Sequence, residues 1–94
     1  MATIRAEIFI EGRVQGVGFR AFARRKAQEN GVFGWVTNVG DSQVKAVLEG
    51  PEDGVEKIIQ LLHEGPTGAR VDRVEVSFNF PATGEFTSFE ISAL

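Results

Sequence analysis

The chain has 94 residues, 43% of them hydrophobic and 24% charged, with a formal net charge of −3. That length predicts one domain over residues 1–94 with a single modest core, and the acidic balance argues against bulk nucleic-acid binding, whose affinity comes from many phosphate contacts. Cysteine is absent, which excludes a disulfide framework and a thiolate zinc site.

The opening residues Met1-Ala2-Thr3-Ile4-Arg5 lead straight into a strand pattern, without the basic start and long apolar run of a secretory signal. No apolar stretch approaches the length needed to span a membrane. With the missing thiols, this points to a cytoplasmic protein with no membrane partner. Ile4, Ala6, Ile8 and Ile10 alternate with Arg5, Glu7, Phe9 and Glu11, a period of two that predicts a strand running to Arg13. A glycine-punctuated loop follows. Phe19, Phe22, Ala23 and Ala27 then recur at helical spacing, Arg24, Arg25 and Gln28 face away, and Asn30-Gly31 supplies a helix stop. Trp35-Val36-Thr37-Asn38 reads as a second strand and Gly40-Asp41-Ser42 as a turn. Val44, Ala46 and Leu48, alternating with Lys45, Val47 and Glu49, give the third strand and a hairpin. Gly50-Pro51-Glu52-Asp53 opens a second helix, with acids near the positive end of its dipole. Val55, Ile58, Ile59 and Leu62 form its buried stripe, and Gly65-Pro66 ends it. Val71, Val74, Val76, Phe78 and Phe80 predict a fourth strand, Pro81-Ala82-Thr83-Gly84 a loop, and Phe86, Phe89 and Ile91 a short fifth strand. The order β-α-β-β-α-β describes an α+β split βαβ sandwich, an antiparallel sheet of four to five strands covered on one face by two helices.

Charge is concentrated at one place. Residues 12–28 hold Arg13, Arg20, Arg24, Arg25 and Lys26 and no acid, whereas the rest of the chain has five bases against thirteen acids. The segment opens with Gly12-Arg13-Val14-Gln15-Gly16-Val17-Gly18-Phe19-Arg20, placed between strand and helix. Such a turn exposes backbone N–H groups that bind phosphate, and an arginine at its end adds a planar, always-charged fork. A Walker loop is excluded because no lysine follows these glycines. Gly16-Val17-Gly18-Phe19-Arg20-Ala21 matches a dinucleotide fingerprint, but Val36, Thr37 and Asn38 stand where that motif needs an acid. A small anion cradle is the third reading, and an ordinary glycine turn with a solvated arginine is its bland alternative. The loop has no Ser, Thr, Cys, His, Asp or Glu, so covalent catalysis from within it is excluded. A hydrolase built here has to direct water onto phosphorus, and with no general acid nearby it favours a substrate with a good leaving group.

The nine residues from Gly12 to Arg20 resemble the signature loop of the acylphosphatase family over its full length, and Gly34-Trp35-Val36-Thr37-Asn38 is similar to that family's second signature. The similarity extends through Leu48-Glu49-Gly50-Pro51, Val71-Asp72-Arg73-Val74 and Phe89-Glu90-Ile91. The resemblance implies a ferredoxin-like sandwich that hydrolyses the carboxyl–phosphate bond of an acyl phosphate, with no cofactor and no metal. It implies that the catalytic arginine is Arg20 and the catalytic asparagine Asn38. It also implies that Gln15, Gly16, Val17, Gly18 and Phe19 bind the phosphate through their backbone N–H groups. The expected partners are a small-molecule acyl phosphate and inorganic phosphate, the latter as product and inhibitor, and the expected state is a monomer. Thr37 stands where relatives commonly have a basic or longer polar residue, Asp41-Ser42 replaces an Asp-Gly turn, and Lys45 stands where an acid is frequent.

Other residues read as structural. Asn38 alone would be a turn former, His63 a dipole-satisfying surface residue, Trp35 packing, Asp41 and Asp72 surface acids, and Arg24, Arg25 and Lys26 a solvated helix face. Two other functions compete: a non-enzymatic anion-sensing module, since similar domains occur inside larger proteins such as the hydrogenase-maturation carbamoyltransferase, and an RNA-binding sheet, which a pI of 5.1 disfavours.

Overall fold

Alternation along the first strand, β1 (Thr3–Arg13), sets the two faces of the sheet. The computed structural model describes residues 2–78 and 81–92. Ala6, Ile8 and Ile10 are fully buried, and Arg5, Glu7 and Phe9 therefore point to the opposite face. β1 lies between β3 (Gln43–Pro51) and β4 (Arg70–Ser77), antiparallel to both. β2 (Phe33–Val39) pairs antiparallel with β3, and β5 (Phe89–Ile91) adds to β2. The sheet order is β4-β1-β3-β2-β5. Helix α1 (Phe19–Glu29) packs on β2 and β5, and α2 (Glu52–Glu64) on β1, β3 and β4. Their buried stripes, Phe19, Ala23 and Ala27 on one and Val55, Ile58 and Leu62 on the other, join Val36, Val44, Ala46 and Leu48 in one core. This is the α+β ferredoxin-like split βαβ sandwich expected from the order of elements.

β4 changes phase midway, which explains its uneven apolar spacing. Val71, Val74 and Val76 all pack against the core. Opposite them the register shifts, Glu11 facing Arg73 but Gly12 facing Val71, so Asp72 is the extra residue of a bulge. Gly12 permits the close approach, because a Cβ there would overlap the Arg70 carbonyl oxygen. The bulge sits where β1 runs out into the glycine loop.

β4, β1, β3 and β2 pair antiparallel in that order, and β5 joins parallel to β2, with Gly34 opposite Phe89 and Val36 opposite Ile91. The chain reaches that edge by crossing the open face of the sheet in the loop 81–88. Phe86, expected in β5, belongs to this loop, with the Arg5 guanidinium 5.7 Å from its ring centre. Phe78 falls just beyond β4, and Phe80 lies outside the described residues.

The crossing loop covers a carboxylate. Alternation turns Glu49 away from the helices, yet it is only 3% exposed. Burial disfavours its charge, but the Thr83 and Gly84 N–H groups, Arg5 and the Thr83 hydroxyl outweigh that cost and hold its pKa below the ordinary carboxyl value. Removing one partner from a buried pair of this kind costs about 3–5 kcal/mol, so the contact weighs in stability where exposed pairs such as Arg70–Asp72 do not.

Candidate active site

Between β1 and α1 the chain alternates apolar anchors with glycine. Val14 and Phe19 are buried and Val17 packs partly against the core, while Gly16 and Gly18 stay exposed. Gly16 at φ 74° and Gly18 at φ 78° are left-handed, a conformation that costs a residue with a side chain roughly 1–2 kcal/mol. A Cβ at either position would meet nothing within 4 Å, so the demand for glycine is conformational. Phe19 fixes the floor of the loop by packing against Gly65 at the end of α2.

Helix α1 starts without a cap. Gly18 occupies the N-cap, no side chain accepts from the first turn, and the first turn has no acid. Phe22 N–H to Gly18 oxygen, at 3.0 Å, is the bond that begins the helix. The N–H groups of Phe19, Arg20 and Ala21 precede it and have no intrahelical acceptor. Where the macrodipole favours an anion, the sequence places Arg20, half-buried and with no ion pair to any described residue. A cation there is unfavourable by about 0.3–1 kcal/mol, and a bound anion reverses the sign. A cavity of about 220 Å³ opens at this point, lined by Val14, Gly16, Gly18, Phe19, Arg20, Ala21 and Ile91.

Of the residues expected to bind phosphate, Gly16, Gly18, Phe19 and Arg20 line this cavity; Gln15 and Val17 are not part of its lining. Gln15 Nε2 donates to the carbonyls of Val39, Gly40 and Gln43, at 3.4, 3.0 and 3.0 Å. Its side chain is a brace between the glycine loop and the β2–β3 hairpin, so what it can offer an anion is its backbone. Asn38 stands on that hairpin, opposite Val44 and two residues beyond buried Val36, on the helix-facing side. Its Oδ1 is buried with no hydrogen-bond partner among the described residues. Buried polar atoms are ordinarily paired, and this acceptor is free for a donor such as water.

Thr37 accounts for its own departure from the family pattern. It is 3% exposed, and its hydroxyl donates to the Ser92 carbonyl at 3.1 Å, while Ser92 N–H donates to Val36 oxygen at 2.8 Å. A short side chain thus ties the residue before Asn38 to the end of β5. Lys45 lies on the open face between the rings of Phe9 and Trp35, 5.1 and 5.7 Å from their centres, and 3.9 Å from Glu7. It has no part in the cavity.

The basic run is partly spoken for. Lys26 pairs with Glu29 at 3.4 Å, and Arg25 and Lys26 lie over the Phe22 ring. Arg24 is exposed, as expected of a solvated helix face. His63 is exposed, its Nδ1 2.9 Å from the Ile59 carbonyl one turn back. Among the described residues, no group of three or more His, Cys, Asp or Glu is placed to hold a metal ion, and no helix is long and apolar enough to cross a membrane. Sequence reasoning missed the Gln15 brace, the Thr37–Ser92 link and the Ile91 wall. Each depends on a partner far along the chain, and no local pattern announces it.

The acylphosphatase family model matches residues 6–91. An acylphosphatase of Roseiflexus sp. (strain RS-1) is 50% identical over 91 residues, covering 97% of each chain. The crystal structure of acylphosphatase from Bacillus subtilis superposes with a TM-score of 0.90 at 30% identity, over 96% of this chain and 99% of that one. T. kodakarensis HypF has a similar region, with a TM-score of 0.81 at 37% identity over 94% of this chain but 12% of its own. Since the family match enters the first strand and runs through both helices to the last, the chain belongs to the acylphosphatase family.

Proposed function

We propose that the chain hydrolyses acyl phosphates by direct attack of water on a phosphoryl group held at the start of α1. Family membership makes it a hydrolase acting on acyl phosphates; the mechanism is read from the site. In this reading the backbone N–H groups of Gln15, Gly16, Val17, Gly18 and Phe19 surround the phosphoryl oxygens, and the Arg20 guanidinium neutralises the charge that develops on them. Asn38 orients the attacking water, with Oδ1 accepting a hydrogen bond from it and the amide N–H₂ available as a donor, and the water's proton leaves on the phosphate product. The carboxylate departs as a stable anion, so no general acid is needed. Positioning and charge stabilisation carry the reaction. The reading includes action as a monomer without metal or cofactor, because every group it uses comes from one chain.

The observation that carries this reading is the start of α1 without a side-chain cap, where N–H groups without an intrahelical acceptor and an arginine with no ion pair among the described residues share a cavity. The decisive experiment follows benzoyl phosphate hydrolysis in the presence of a chelator. Turnover well above background, with competitive inhibition by inorganic phosphate, is expected. Folded protein that binds phosphate without turnover would instead make the domain an anion-binding module.

A further inference from the structure

The loop that crosses the open face is fastened to Glu49 by four hydrogen bonds from Thr83 and Gly84. Both carboxylate oxygens of Glu49 accept from Thr83 N–H, at 3.1 Å each. Oε1 also accepts from Gly84 N–H at 3.0 Å, and Oε2 from the Thr83 hydroxyl at 2.9 Å and Arg5 at 2.9 Å. Arg5 in turn reaches Glu7 at 3.3 Å and Glu85 at 3.9 Å, and lies against the ring of Phe86. Thr83, Gly84 and Glu85 are themselves exposed, so little apolar burial holds this part of the loop. The carboxylate does so instead.

The same loop delivers β5 to the site. Ser88 oxygen accepts from Gly34 N–H at 2.9 Å, and Phe89, Glu90 and Ile91 then pair with β2. Ile91 lines the cavity together with the glycines, and Ser92 takes the hydroxyl of Thr37 beside Asn38. β5 is only three residues long, held by buried Phe89, by its pairing with β2 and by the two bonds of Ser92, and the loop sets where it begins.

We propose that Glu49, supported by Arg5, is a positioning residue for the anion cradle: it clamps the 81–88 loop to the sheet and so fixes the strand that contributes Ile91 to the cavity wall. The coupling runs from the Glu49 contacts with Thr83 and Gly84, along the chain to Ser88 and Phe89 on β2, and into Ile91. It rests on the reading that this cavity is where the substrate phosphoryl group binds.

Two variants test it. Glu49→Gln keeps the shape but loses the charge and presents an N–H₂ to two N–H donors. Thr83→Val removes one hydroxyl donor from an exposed loop and leaves the sheet intact, so it carries the test if Glu49→Gln does not fold. Three quantities are measured well below the melting temperature: the Kd for inorganic phosphate, the kinetics with benzoyl phosphate, and amide hydrogen exchange over residues 83–92. Glu49→Gln is expected to raise both Kd and KM about fivefold with kcat within about twofold, alongside faster exchange at residues 89–91. Thr83→Val should move the same quantities less. Faster exchange with Kd and KM unchanged would show the clamp to be structural only, and unchanged exchange would show that it clamps nothing; either result overturns the proposal. A wild-type protein that binds phosphate without hydrolysing benzoyl phosphate would refute the mechanism proposed above, while Kd and exchange would still decide the role of Glu49.

Discussion

Helices α1 and α2 face the same sheet, yet their N-termini are built on opposite principles. α2 begins after Pro51 and puts Glu52 and Asp53 in its first turn, so its dipole is answered by its own side chains. α1 begins after bare Gly18, has no acid in its first turn, and places Arg20 there. The first arrangement is what a helix adopts for stability. The second gives up about 0.3–1 kcal/mol of dipole compensation and leaves N–H groups open. In the proposed reading, that difference separates a helix end serving the fold from one serving a ligand.

The comparison breaks most directly at Arg20. Arg20→Ala should lower kcat/KM by roughly 10³-fold or more, as expected for an arginine that stabilises phosphoryl charge. Asp53→Ala at the matching end of α2 should leave it within about twofold. Steady-state kinetics with benzoyl phosphate decides this, and a rate unchanged in Arg20→Ala would remove the proposed role. Asn38→Ala should come next, lowering kcat by about 10²-fold with KM little changed, because its task is confined to the chemical step. A raised KM with kcat intact would make Asn38 a binding residue. The smallest effect sharpens the comparison itself. Arg20→Glu should raise stability by about 0.3–1 kcal/mol while abolishing activity, and Asp53→Asn should lower it by a similar amount without touching activity. Thermal denaturation of the two variants measures both signs, and equal shifts in the same direction would show that the helix ends do not differ as described.

The elements that sequence made legible are those whose partners are near in the chain or whose period is regular. Ile4, Ala6, Ile8 and Ile10 declared β1, and Val55, Ile58 and Leu62 declared the inner face of α2. The glycine loop could be read because positive φ and an absent cap have a residue signature, Gly16 and Gly18 before Arg20. Glu49 could not be read in this way. Alternation turns it outward, and only a loop arriving from more than thirty positions later, at Thr83 and Gly84, buries it. Gln15 is similar: its residue type suits a loop, and its three carbonyl partners lie on a hairpin that the local sequence does not point to. The phase of β4 was obscured for a different reason, since the bulge at Asp72 breaks the very alternation by which strands are recognised.

Ile91 and Gly16 come from opposite ends of the sequence and line one small cavity. Closing so long a chain segment is entropically costly and contributes to the slow folding of topologies rich in distant contacts. A species in which β1, the glycine loop and α1 have already formed still lacks one side of its cradle until the last strand docks on β2. If an anion binds in this cavity as proposed, its capture is a property of the finished sheet, and ligand linkage would stabilise the complete fold over any form with that edge open.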